Sequence, residues 1–159
     1  MRTQKIKLFF ALLIVVGACT KPDAQFGSPE ATLQTLFTAY GANHMTEAEA
    51  RARLANREHF QLQDAALYRQ CFADWLGPQD EGLAGYVFGS LLAAKDSLSF
   101  QKENQKVLVR TKRSSGEIIT LAVMTQDNGK WKVLLRESVP EEVRQRLYEV
   151  YQDARRVGN

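Results

Sequence analysis

The chain is poor in the residues that most often build catalytic and metal centres. Its 159 residues include two histidines, His44 and His59, and two cysteines, Cys19 and Cys71. No His-x-x-x-His, Cys-x-x-Cys or acidic calcium loop occurs, so a metal site lacks its usual ligand spacing. Neither a Gly-x-Ser-x-Gly elbow nor a P-loop or dinucleotide fingerprint is present. The glycines from Gly85 to Gly89 lack the preceding strand that a phosphate cradle requires. No cofactor is implied. Repeats and low-complexity tracts are missing too, and no apolar run reaches the roughly 20 residues of a spanning helix.

The N-terminus is what stands out. Arg2, Lys5 and Lys7 precede an unbroken apolar run from Leu8 to Val16, and small residues follow. This is the layout of an export signal. Val16-Gly17-Ala18-Cys19 resembles the lipobox of bacterial lipoproteins, in which an aliphatic and two small residues precede a cysteine. Valine stands where leucine is commoner. In that family the thiol receives a diacylglycerol, the signal is cut before the cysteine, and the new amine is acylated, typically with palmitate. Two or three acyl chains hold a protein stably at a bilayer, whereas one does so only marginally. Thr20 stands where aspartate would favour inner-membrane retention. The resemblance therefore implies a lipid-anchored protein of the cell envelope, at the periplasmic face of the outer membrane where there are two membranes. An ordinary cleaved signal or an uncleaved anchor is the alternative reading.

The resulting division is a signal over 1–18, a lipidated tether over 19–27 and one domain over 28–159. The formal charge of +3 belongs to the precursor, because three of its 21 basic residues lie in the signal and none of its 18 acids does. A neutral exported chain argues against a nucleic-acid partner. With Cys19 carrying lipid, Cys71 has no disulfide partner within the chain. Its neighbours Leu67, Tyr68, Phe72 and Trp75 point to a buried apolar role. A catalytic thiol would need His44 or His59.

Helices come first. Ser28-Pro29-Glu30 is a strong helix start, followed by Leu33, Leu36, Phe37 and Tyr40 on one stripe. Thr46-Glu47-Ala48-Glu49 is a capping box for a second helix to about Ala55. Asp64 caps a third, with Leu67, Cys71, Phe72 and Trp75 inward and Gly77-Pro78 at its end. The glycine-rich stretch 82–94 reads as helix over its second half. After Lys95 the period becomes two. Four strands are expected: around Leu98 and Phe100; Val107 and Val109; Ile119, Leu121 and Val123; and Trp131, Val133 and Leu135. Ser114-Ser115-Gly116 and Asp127-Asn128-Gly129 supply hairpin turns, and the third strand, with Ile118 and Met124 on its other face, reads as central. A last helix starts at Val139-Pro140, with Val143, Leu147, Val150, Tyr151 and Ala154 as its apolar stripe. The class is α+β, with N-terminal helices packed on an antiparallel four-stranded sheet and a helix to finish.

Ser28-Pro29-Glu30-Ala31-Thr32-Leu33 and Asp127-Asn128-Gly129-Lys130-Trp131-Lys132-Val133 resemble the opening helix and closing hairpin of small lipoproteins with a nuclear-transport-factor-two-like (cystatin-like) fold. The helix after Pro140 departs from that pattern. The resemblance implies a curved sheet around a cone-shaped cavity. Relatives include ketosteroid isomerase and polyketide cyclases, which use an acid or histidine in the cavity, and non-catalytic binding modules. Asp74, with Trp75 and Tyr86, is the candidate cavity set for an isomerase-type or cyclase-type enzyme. The other acids of the helical half are Asp64, Asp80, Glu81 and Asp96.

Charge is segregated along the chain. Residues 100–136 carry eight basic and three acidic residues, and residues 19–99 carry six and ten. Lys106, Arg110 and Lys112, with Lys130, Lys132 and Arg136, are therefore the candidate interaction face, beside Leu108 and Leu134. It suits an acidic envelope protein or anionic envelope polymer. The alternative is a solvated outer face whose lysines discourage aggregation. Taken together, the expected function is a non-catalytic, membrane-held binding or assembly module. Replacing Cys19 by Ala should leave a full-length precursor with no acyl mass by mass spectrometry. An acylated, cleaved product from that variant would overturn the assignment.

Overall fold

A computed structural model describes residues 23–158. The export signal and Cys19 lie outside the described residues. The class is the expected α+β. Helices α1 (Pro29–Ala39), α2 (Glu47–Ala55), α3 (Ala65–Gln70) and α4 (Glu81–Leu92) precede strands β1 (Ser99–Glu103), β2 (Lys106–Lys112), β3 (Ile118–Asp127) and β4 (Lys130–Val133). A short α5 (Leu135–Ser138) and a long α6 (Glu141–Val157) follow, and a single 3₁₀ turn, Pro78–Asp80, leads into α4.

The helix starts follow from their capping residues. The Ser28 hydroxyl accepts from Ala31 N–H at 3.1 Å, and the Asp64 carboxylate accepts from Leu67 N–H at 2.8 Å. Thr46 and Glu49 close a reciprocal capping box. Helix α4 takes in all three glycines of the 82–94 stretch and runs to Leu92, so the first half is helical as well. Each interior glycine costs a helix about 1 kcal/mol relative to alanine. Burial of Leu83, Val87, Phe88, Leu91 and Leu92 on one face outweighs that cost.

The sheet is antiparallel in the order β1-β2-β3-β4. Asn128 and Gly129 take positive φ values of 50° and 77°, the pairing a two-residue hairpin turn requires. Val107, Val109, Ala122, Met124 and Val133 line the core, with helices α1 and α4 packed against the sheet. Strand β3 is interior, as its composition implies, but its parity differs from the simple alternation. The register steps from Val109↔Ala122 to Arg110↔Thr120, leaving Leu121 as a bulge. Ala122 and Met124 thereby take the core positions expected for Leu121 and Val123. Val123 is also buried, on the opposite side: its N–H donates to the Ser138 hydroxyl at 2.9 Å and its carbonyl accepts from Leu134 N–H.

Two further expectations are corrected. Leu135 is buried, but in α5 rather than in the last strand, because the chain turns once Val133 has paired. The tether also ends sooner than Gly27. Asp23 organises a turn by accepting from Gln25 N–H at 2.8 Å and Phe26 N–H at 3.2 Å, and Phe26 is buried in the core. The Phe26 carbonyl accepts from Trp131 N–H at 2.8 Å. Together with Cys71 and Ala73, which bond Val133, this segment covers the outer edge of β4. An exposed edge would otherwise be a template for pairing with another chain.

Candidate functional site

The acid expected to serve a cavity serves a helix end instead. The two oxygens of Asp74 accept from Leu135 N–H at 2.7 Å and Arg136 N–H at 3.0 Å, which caps α5 from another segment. The Arg136 guanidinium also lies 3.3 Å from this carboxylate. Trp75 packs against Tyr68 and Phe72. Tyr86 is 38% exposed on α4. Among the described residues, none of the four hollows described below is lined by Asp74, Trp75 or Tyr86.

The interaction-face residues are also divided. Lys106 pairs with Glu137 at 2.6 Å, Arg110 with Glu103 at 3.3 Å, Lys132 with Asp127 at 2.8 Å and Lys130 with Asp23 at 3.7 Å. Such exposed pairs add little stability, but they neutralise the field that an anionic partner would read. Of the six, Lys112 alone has no ion pair among the described residues. Arg136 is not on the sheet at all. Leu108 is half-buried beside Val123 in a groove of about 520 Å³ on the outer sheet face.

Arg136 belongs to a cluster that sequence spacing did not reveal. Asp80 is fully buried, accepting from Leu76 N–H at 2.7 Å, from Arg136 Nη2 at 2.9 Å and from the Tyr148 hydroxyl at 3.2 Å. Arg136 also donates to the Asp74 carbonyl, and Arg144 donates to the Arg136 carbonyl at 2.7 Å. Burial opposes the Arg136 charge, but Asp80 outweighs it and holds the guanidinium above its ordinary pKa. Burial likewise raises the pKa of Tyr148. Asp80, Arg136, Tyr148 and Arg144 are thus all hydrogen-bonded within the protein. The cluster ties the 3₁₀ turn, α5 and the first half of α6 together.

Past that cluster α6 is free on its outer side. Leu147 lies over Gly82 of α4, where a Cβ would meet it at an ordinary contact distance of 3.5 Å, so α6 packs closely on α4 at this point. Further along the same stripe, Val150 is 66% exposed and Val157 is 89% exposed. Val143, Leu147, Val150, Ala154 and Val157 are spaced four, three, four and three residues apart, the spacing of a helix-pairing seam. The body uses only its first half. Beside the second half lies an open cleft of about 590 Å³ lined by Gln79, Tyr148, Tyr151, Gln152, Arg155 and Arg156. The stripe was legible from periodicity, whereas its partial use depended on where α6 docks.

A smaller hollow of about 280 Å³ is lined by Tyr40, Phe60, Leu62, Tyr68, Arg69 and Glu81. The Tyr40 and Tyr68 rings meet edge-on at 5.2 Å, and burial raises the pKa of both. Both phenols are therefore neutral at physiological pH, while Glu81 is exposed to water.

No family model, curated protein or solved structure matches the chain. Among the described residues no helix is long and apolar enough to cross a membrane, and no group of three His, Cys, Asp or Glu is placed to hold a metal ion. His44 and His59 are both exposed, and Cys71 is fully buried. Desolvation pushes the Cys71 thiol up to about 12, leaving it protonated at neutral pH. A disulfide probe at pH 8 should react with native protein at least about a hundredfold more slowly than with urea-unfolded protein, because the thiolate is the attacking species. Equal rates would contradict the burial of Cys71.

Proposed function

We propose that the protein is a lipid-anchored envelope module that binds or assembles with a partner protein without catalysing a reaction. Its contact surface is the outward half of α6. The observation that carries this reading is the half-used seam of that helix. A 17-residue helix is expensive to order in water unless an apolar face is covered. Here Val143 and Leu147 are half-buried against the body, while Val150 and Val157 face solvent. A partner covering that second half would complete the seam.

Other features support the reading. The lipobox-like Val16-Gly17-Ala18-Cys19 supplies an anchor. The helices that open the chain and the Gly-Lys-Trp strand within an α+β sheet support the cone-fold resemblance, which includes binding modules. The basic residues once grouped as an interaction face are mostly paired within the domain, which moves the proposed surface to α6.

The test is site-specific photo-crosslinking in living cells. A crosslinker at Val150 or Val157 should yield a discrete higher-mass adduct, whereas one at Gln101, on the exposed edge strand β1, should not. Adducts absent from both helix positions, or equal at all three sites, would defeat the assignment of α6 as the contact surface.

A further inference from the structure

We infer that one pole of the domain lies against the lipid surface: the Asp23–Phe26 turn together with the β1–β2 and β3–β4 turns. The β2–β3 hairpin then points away from the membrane. This inference rests on the lipidation reading of Cys19.

The reach of the tether limits which pole can meet the bilayer. Asp23 is held in place by its bonds to Gln25 and Phe26, by the Gly27 N–H on its carbonyl, and by Lys130 at 3.7 Å. Only Thr20, Lys21 and Pro22 separate it from Cys19. Four residue steps span at most about 14 Å even when fully extended. A domain of this length has a radius of gyration of about 14 Å, hence a diameter of roughly 35 Å. The tether therefore cannot carry the lipid-bearing residue around to the far side.

The sheet defines the two poles. Strand β3 has ten residues, an end-to-end length of about 33 Å. Its Asp127 end pairs with Lys130, next to Asp23 and with the Lys130 ammonium 5.5 Å from the Phe26 ring. The β1–β2 turn lies at the same end, because Lys106 is paired with Thr125. Between the two turns is a hollow of about 370 Å³ lined by Lys102, Asn104, Gln105, Thr125, Gln126 and Trp131. Polar side chains around a half-buried tryptophan suit the headgroup layer, where indole rings collect. At the other end Ile118 pairs with Lys112, and the hairpin Ser114–Gly116 follows.

A lipid surface fits this pole better than an acidic protein does. Lys130 and Lys132 are paired there with Asp23 and Asp127, so charge does not select the partner. The acyl chains bring the surface close and the short tether orients it. Binding without acyl chains should be weak, and the orientation should be insensitive to salt.

The test uses full-length processed protein in vesicles of phosphatidylethanolamine and phosphatidylglycerol, with the acyl mass on Cys19 confirmed first. Fluorophores are attached to Gln105→Cys or to Ser115→Cys, and quenched by a headgroup nitroxide lipid. Quenching should be several-fold stronger at 105 than at 115, and unchanged by added salt. Inserting a Gly-Ser segment of roughly 20 residues after Lys21 should erase the difference, since such a coil spans about 25 Å on average and far more when stretched. Equal quenching at both sites in the unmodified tether, or stronger quenching at 115, would overturn the orientation while leaving lipidation intact. A bias that survives the insertion would overturn the reach argument. An unacylated N-terminus would overturn the lipidation reading, and the inference with it.

Discussion

The guanidinium of Arg136 ties the C-terminal part of this protein to the segment before α4. Arg136 lies between Asp74 and Asp80, and the second of these is fully buried. A buried carboxylate is costly unless hydrogen-bond donors surround it, and Asp80 has a backbone N–H, a guanidinium and a phenol. These contacts come from the segment before α4, from α5 and from α6. With the pair in place, α5 is capped, Ser138 is held over the backbone of Val123, and the first turns of α6 settle on Gly82. What α6 presents to solvent follows from that seating.

The rest of the molecule deals with its edges and ends. The outer edge of β4 is covered by Phe26 and by the residues after α3, so the N-terminal turn is part of the fold. Only three residues lie between Cys19 and this turn, so under the proposed lipidation the tether would orient the domain as well as hold it. The other edge, β1, is exposed but short and carries Gln101, Lys102 and Glu103, a composition that discourages strand addition. Local ion pairs on the outer sheet face have a related effect, spreading charge rather than concentrating it. The proposed membrane pole and the exposed half of α6 thus belong to one reading, in which lipid fixes the address and a helix makes the contact.

Much of the fold was legible because local signals agreed with tertiary context. Ser28-Pro29, the Thr46–Glu49 box and Asn128-Gly129 each specify a backbone conformation within a few residues, and each forms. The bulge at Leu121 was not legible, since alternation alone carries no sign of an inserted residue and Val123 is apolar enough for either face. Nor could the role of Asp74 be read. Its partners are 61 and 62 residues away, and an acid beside a tryptophan looks the same whether it caps a helix or serves a cavity. The buried Asp80 was hidden for the same reason: only the fold brings Arg136 and Tyr148 to it. The pairing of the basic residues was not legible either, because counting charge along a sequence ignores the acids that the fold places opposite.

The most direct measurement is hydrogen exchange on the Arg136→Met variant beside the native protein. Removing the guanidinium leaves Asp80 buried without its counter-charge, a change that costs about 3–5 kcal/mol in comparable buried pairs. Exchange should rise most in α6, with a smaller rise in β2 and β3. Unchanged protection across Glu141–Tyr148 would contradict the claim that this ion pair seats the helix and so determines the surface it shows.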